Sequence, residues 1–221
     1  MDIRVSDFNA ADEIFEGELR DHWQQVHAAL TTLSLHLKES DQANIVGSLI
    51  FDPVGTNAGI KVALQATGWA PNVPIPEQFA FLGTDVDFVK DSALVEVQFS
   101  NYPFLLNNTV RAELIYKSQT VLHRSRMKAL IMITKAHMFP ASNSTLYYEQ
   151  AHRQLSELSR HDVLDIPIRL VGLFAARGPG EAVFTSYATR RYARQFTEQA
   201  VRPILISPGP SSASRCRITF A

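Results

Sequence analysis

Cysteine is almost absent: Cys216 is the single one in 221 residues. That excludes an intrachain disulfide framework and any cysteine-rich zinc site, and in its polar, basic surroundings Cys216 reads as a tolerated free thiol. Long apolar runs are missing too; none approaches the roughly 18 residues that a membrane span needs. The opening residues, Met1-Asp2-Ile3-Arg4-Val5, have neither the basic start nor the apolar core of a signal peptide. A cytoplasmic protein without a membrane partner is expected. The seven histidines are scattered, with no pair at the spacing of a zinc-binding helix. Gly178-Pro179-Gly180 lacks the Lys-Ser/Thr that completes a phosphate loop, and no organic cofactor is expected. Glycine and proline form no mid-chain linker, and repeats and low-complexity tracts are missing. One domain over residues 1–221 follows.

What is present is an ordinary globular balance, 46% hydrophobic and 19% charged. The net charge of −1 hides an asymmetry: residues 1–100 hold 5 basic and 15 acidic side chains, leaving 16 basic and 7 acidic beyond them. Of the 21 basic residues 15 are arginine, the side chain suited to phosphate and guanine edges. A polyanionic partner for the second half is one reading; two halves that merely pair with each other is another.

Apolar residues from Ala11 to Leu37 recur at three- and four-residue intervals, which predicts one long amphipathic helix capped by Asn9. A second helix is expected from Gly55-Thr56-Asn57 to Gly68, followed by an extended proline-rich stretch. Phe79 to Phe88 and Ala93 to Phe99 read as strands joined by the turn Lys90-Asp91-Ser92. A helix around Leu105 to Ile115 follows, then a buried strand from Met127 to Thr134, a helix from Leu146 to Leu158 and a second buried strand from Ile166 to Phe174. Val183 to Tyr187 is a weaker strand, Arg190, Arg191 and Arg194 mark a basic segment, and Ser207 to Ser214 reads as loop. The expected class is α/β, with a central mixed β-sheet flanked by helices.

The hairpin carries the chemistry. Side chains alternate along a strand, so Glu96 and Gln98 share one face. A symmetric turn between Asp91 and Ser92 sets Asp87 opposite Glu96, with Cβ atoms roughly 5 Å apart. Two like charges so placed repel unless neutralised, and an all-oxygen site suits a magnesium ion. Ordinary solvent-facing residues of an amphipathic hairpin would give the same pattern, and the pair alone names no reaction.

Asp87, eight intervening residues and then Glu96-Val97-Gln98 resemble the PD-(D/E)XK nuclease core, with glutamine where that core usually has lysine. The surrounding words, Ser40-Asp41-Gln42-Ala43, Val46 to Asn57, Glu96 to Arg111 and His137 to Ser144, closely resemble the BglII type of restriction endonuclease. The likeness runs from the N-terminus to about Leu173, resumes at Tyr187 and at Arg191 to Arg194, and fades beyond. It implies a catalytic core over about 40–175 and a smaller β-rich DNA-reading extension over about 176–221. It implies catalytic residues Asn72, Asp87, Glu96 and Gln98, and magnesium held by the Asp87 carboxylate and the Val97 carbonyl. It also implies DNA contacts from Ser100, Asn101, Arg111, Asn143, Ser144, Tyr192 and Arg194. For Asn143 a helix cap, and for Ser100 and Asn101 turn chemistry before Pro103, remain open. The activity implied is hydrolysis of double-stranded DNA at AGATCT by a homodimer, after the first A on each strand. A DNA-binding protein without catalysis and a magnesium-dependent phosphohydrolase of small molecules are the competing classes.

Overall fold

Ala129–Lys135 and Ile168–Phe174 are strands in which every residue is buried. Nearly continuous apolar runs of this kind belong in the middle of a sheet covered on both faces. The structure, a computed structural model, describes residues 1–189, 195–211 and 214–221. In chain order the first elements are β1 (Asp2–Phe8), α1 (Ala11–Glu16), α2 (Arg20–Thr31), β2 (His36–Glu39), β3 (Leu49–Phe51), α3 (Pro53–Ala66) and β4 (Ala70–Pro74). A 3-10 turn (Glu77–Leu82) leads to β5 (Asp85–Lys90), β6 (Ala93–Val97), α4 (Tyr102–Lys117), and the short β7 (Val121–Leu122) and β8 (Ser125–Arg126). Then come β9 (Ala129–Lys135), α5 (Tyr148–Arg160), β10 (Ile168–Phe174), β11 (Gly178–Tyr187), β12 (Phe196–Ser207) and β13 (Arg217–Phe220).

The larger sheet is mixed, in the order β1-β10-β9-β6-β5-β4. Its middle is parallel, β6 with β9 and β9 with β10, while β1, β5 and β4 join antiparallel. Parallel neighbours need a crossover, and α4 and α5 supply the two. The smaller sheet, β13-β12-β11-β2-β3, takes two strands from residues 36–51 beside the C-terminal three. The C-terminal extension is therefore sewn into the body, not appended to it. Tyr187 at the end of β11 also donates its hydroxyl to Asp52 Oδ2 at 2.6 Å, on the residue that caps α3. Likewise the larger sheet begins at Asp2, ahead of a core drawn from residue 40. Among the described residues no helix is long and apolar enough to cross a membrane.

Three local expectations are corrected. The helix expected over Ala11 to Leu37 is two helices broken at Gly17, after which Leu37 enters β2. A Cβ at Gly17 would lie 2.9 Å from the carbonyl oxygen of Glu13, so the break needs glycine. Asn9 does not cap α1 but turns its amide to the carbonyls of Leu164 and Ile166. Phe79 to Leu82 is a 3-10 turn, not strand, bounded by Pro76 and by Gly83 at φ 131°, and Phe81 points outward, 75% exposed. β1 had no counterpart in the sequence reading, because an edge strand with polar alternation carries a weak signal.

Candidate active site

The β5–β6 hairpin pairs Phe88 with Val95, Val89 with Leu94 and Lys90 with Ala93, around a turn at Asp91 and Ser92. Continuing that register sets Asp87 across from Glu96. On its other side β5 pairs Phe88 with Pro71 and Val86 with Val73, so Asn72 stands across from Asp87. Asn72 adopts φ 49°, a left-handed conformation that asparagine tolerates better than most residues. Three polar residues thus lie at neighbouring positions on three adjacent strands, placed there by the pairs that flank them.

Asp87 Oδ2 accepts the amide of Val97 at 2.7 Å, which draws its carboxylate to the end of β6. Glu96 is 2% exposed and is met by Arg111, reaching back from α4, with Nη2 2.5 Å from Oε1. Arg111 also donates to the Leu82 carbonyl at 3.1 Å and to Asn108 Oδ1 at 3.3 Å. Space for it exists because residue 83 is glycine: a Cβ there would lie 2.5 Å from Nη1. Asn108 continues the chain of contacts to Gln98 Oε1 at 3.5 Å, and the Gln98 amide donates to Ser100 Oγ.

One guanidinium faces two carboxylates. Burial, and then the charge of Asp87, push the Glu96 carboxyl up to about 8 against the opposing pull of Arg111. Burial likewise raises Asp87, although the Val97 amide and Arg111 favour its charged form. The cluster sets one cation against two carboxyls, and carboxylate and backbone oxygens are ligands that fit a hard divalent cation. Among the described residues no group of three or more His, Cys, Asp or Glu side chains converges, so such an ion would rely on one or two carboxylates, backbone oxygen and water.

A cleft of about 580 Å³ opens beside the strand end, lined by Asn57, Gln98, Ser100, Lys135, Asn143 and Ser144 among others. Asn143 is exposed at φ 48°; it does not cap α5, whose cap position is Tyr147. Ser144 is turned inward, its hydroxyl 2.7 Å from the Phe99 carbonyl and 2.6 Å from Lys135 Nζ. Asn101 occupies the cap position of α4 without a capping bond, and its Oδ1 accepts from Thr145 Oγ1 at 3.2 Å. Arg111, expected at the DNA, is only 6% exposed and is committed to Glu96, so its place is within the carboxylate cluster. Tyr192 and Arg194 lie outside the described residues. The sequence reading missed Asn108 and Lys135. The three-residue spacing of Asn108 and Arg111 on one helix face, and a lone lysine ending an apolar strand, were the available signals.

The restriction endonuclease BglII/BglIII family matches residues 3–173. The type II restriction enzyme BglII of Bacillus subtilis is 54% identical over 200 residues, covering 90% of this chain and 88% of the relative. A crystal structure of BglII complexed with a DNA 16-mer superposes with a TM-score of 0.94 at 50% identity, covering all of both chains. Free BglII, also covered in full, gives 0.76 at 46% identity.

Proposed function

The chain belongs to the restriction endonuclease BglII/BglIII family, and on that premise we propose that it is a homodimeric, magnesium-dependent endonuclease of double-stranded DNA. Its site is AGATCT, cut after the first A on each strand to leave 5′ GATC ends. The observation that carries this reading is the row of Asn72, Asp87 and Glu96 with Gln98 at the exit of the same strand. The likeness to a BglII–DNA complex supports DNA as the ligand.

Asp87 and the Val97 carbonyl would hold the cation, since Asp87 already bonds the Val97 amide. Magnesium bound there supplies Lewis acidity toward the scissile phosphate and lowers the pKa of water. Everything else falls to the chain. Asn72 contributes an amide at the open side of Asp87. Glu96, braced by Arg111, orients the attacking water, and Gln98, held by Asn108 and Ser100, gives that water a second, neutral partner. An amide neither carries charge nor accepts a proton at neutral pH, so Gln98 positions and does not act as a base. Asn143, Ser100, Asn101, Tyr192 and Arg194 are proposed to read bases, and Ser144 to hold the reading loop.

A dimer follows from one such centre per chain and two strands to cut, and a twofold enzyme demands a palindrome. On α4, Tyr102, Leu106 and Val110 form an exposed stripe at four-residue intervals, 46%, 37% and 42% exposed, which suits the contact between subunits. Digestion of a plasmid carrying AGATCT, with and without magnesium, tests the reading: discrete fragments with GATC overhangs are expected. A gel shift without cleavage would leave a DNA-binding protein, and neither result would point to a small-molecule phosphohydrolase.

A further inference from the structure

Lys135 ends β9, the strand that runs parallel to β6, and it is 1% exposed. Its partners are all neutral and come from two separate segments. Nζ donates to the Phe99 carbonyl at 2.5 Å, where the chain leaves β6, and to Ser144 Oγ at 2.6 Å and the Leu146 carbonyl at 3.2 Å across the cleft. Three donors meet three acceptors, with the Tyr147 ring 4.9 Å away. Burying an ammonium among neutral groups costs desolvation that a methionine of similar length would avoid. What the charge provides is a fixed distance between the two segments.

The contacts around it reinforce that distance. Ser144 Oγ lies within bonding distance of the Phe99 and Ser100 carbonyls, and the Ser100 carbonyl accepts the amides of Thr145 and Leu146 at 3.1 Å each. The Ser100 hydroxyl in turn receives the Gln98 amide. From the outer side Arg215 donates to the Ala141 carbonyl at 2.8 Å and to the Tyr147 hydroxyl, and that hydroxyl donates to the Ser144 carbonyl at 2.6 Å. Residues 141–147 are thus gripped at both ends, while Asn143 between them stays exposed.

We propose that Lys135 is a positioning residue at the centre of a clasp that holds the loop 141–147 to residues 98–101, so that base reading through Asn143 and the placement of Gln98 beside Glu96 depend on one shared set of contacts. The inference rests on the nuclease reading above. It makes recognition and cleavage mechanically linked: a loop displaced by a wrong base pulls on the Ser100 carbonyl and hence on Gln98.

Lys135→Met is the test, with wild type assayed beside it on AGATCT, on sites changed at one base, and on unrelated DNA. Misplacement of about an ångström costs on the order of 100-fold, so kcat on the cognate site should fall by about that factor while KM moves little. The preference for cognate over one-base-changed sites should shrink at least about tenfold, and affinity for unrelated DNA, a phosphate property, should hold. The amides of Thr145 and Leu146 should exchange hydrogen on the order of 100-fold faster as the loop opens locally. Equal losses on cognate and changed sites, or unaltered exchange, would overturn the proposal. Should Lys135→Met fail to fold, Ser144→Ala removes the hydroxyl from the same clasp and is judged by the same comparisons. If wild type cuts no DNA, the nuclease reading falls, and amide exchange alone decides whether the clasp exists.

Discussion

Arg111 and Glu96 are 15 residues apart in sequence and 2.5 Å apart in space, with side chains 7% and 3% exposed. The guanidinium is the only cation that the described side chains bring against two raised carboxyls. Arg111→Met should therefore lower cleavage by on the order of 100-fold, the usual effect of losing one preorganised electrostatic contact. Adding Glu96→Gln to it should cost little more, since the two act as a unit. Stranding a buried charge costs about 3–5 kcal/mol, but Glu96 can take up a proton, so a loss below that range is expected in urea denaturation at neutral pH. Additive losses from the two substitutions would show the pair to be independent.

Asp87→Ala should abolish cleavage while cognate binding stays measurable by gel shift, because the residues proposed to read bases are others. Asp87→Asn, which keeps an acceptor for the Val97 amide, should be equally inactive and no less stable without metal than wild type. Calorimetric titration with magnesium should show weakened uptake in both. A variant cutting near the wild-type rate would remove Asp87 from the reaction.

Burial, reinforced by the nearby Arg215, lowers the Lys135 ammonium to about 7. Because the folded value lies below the unfolded one, the unfolded chain binds more protons between about pH 7 and 10.5, and stability rises with pH across that window. Below pH 7 the full cost of the buried charge is present. Denaturation free energies should therefore climb from pH 8 to pH 10 by at most about 1.4 kcal/mol per unit from this group, above the range in which the raised Glu96 carboxyl gives up its proton and opposes the climb. Lys135→Met should flatten that climb, and an unchanged slope would place the ammonium in a more polar setting than its contacts indicate.

Leu106→Asp with Val110→Asp puts two charges into the exposed stripe of α4 without touching its buried face, where Leu105, Ala112 and Ile115 pack. Light scattering after gel filtration should show a monomer, and supercoiled plasmid should be nicked more than linearised. A dimer unaffected by both charges would move the interface away from α4.

The carboxylate pair was legible because local rules suffice for it. A hairpin with a two-residue turn has its register set by that turn, so Asp87 and Glu96 had to face each other, and the structure keeps that register up to Phe88 and Val95, one step before the pair. The nearly continuous apolar runs of β9 and β10 announced the buried centre for a similar reason: composition alone says that both faces are covered. The rest depends on contacts between distant segments, to which periodicity is blind. The edge strand β1 on β10 has only a weak local signal and the smaller sheet that joins residues 36–51 to the C-terminal strands has none, while at the helix break Gly17 is outweighed by apolar spacing that runs on past it. Arg111 is the sharpest case. From sequence it is one arginine in a basic half, as well suited to phosphate as to a carboxylate, and only the packing of α4 against Gly83 decides which. Lys135 is the same: a lysine ending a strand reads as a solvent charge until two loops fold over it, because burial is a property of the whole assembly of segments and not of any one of them.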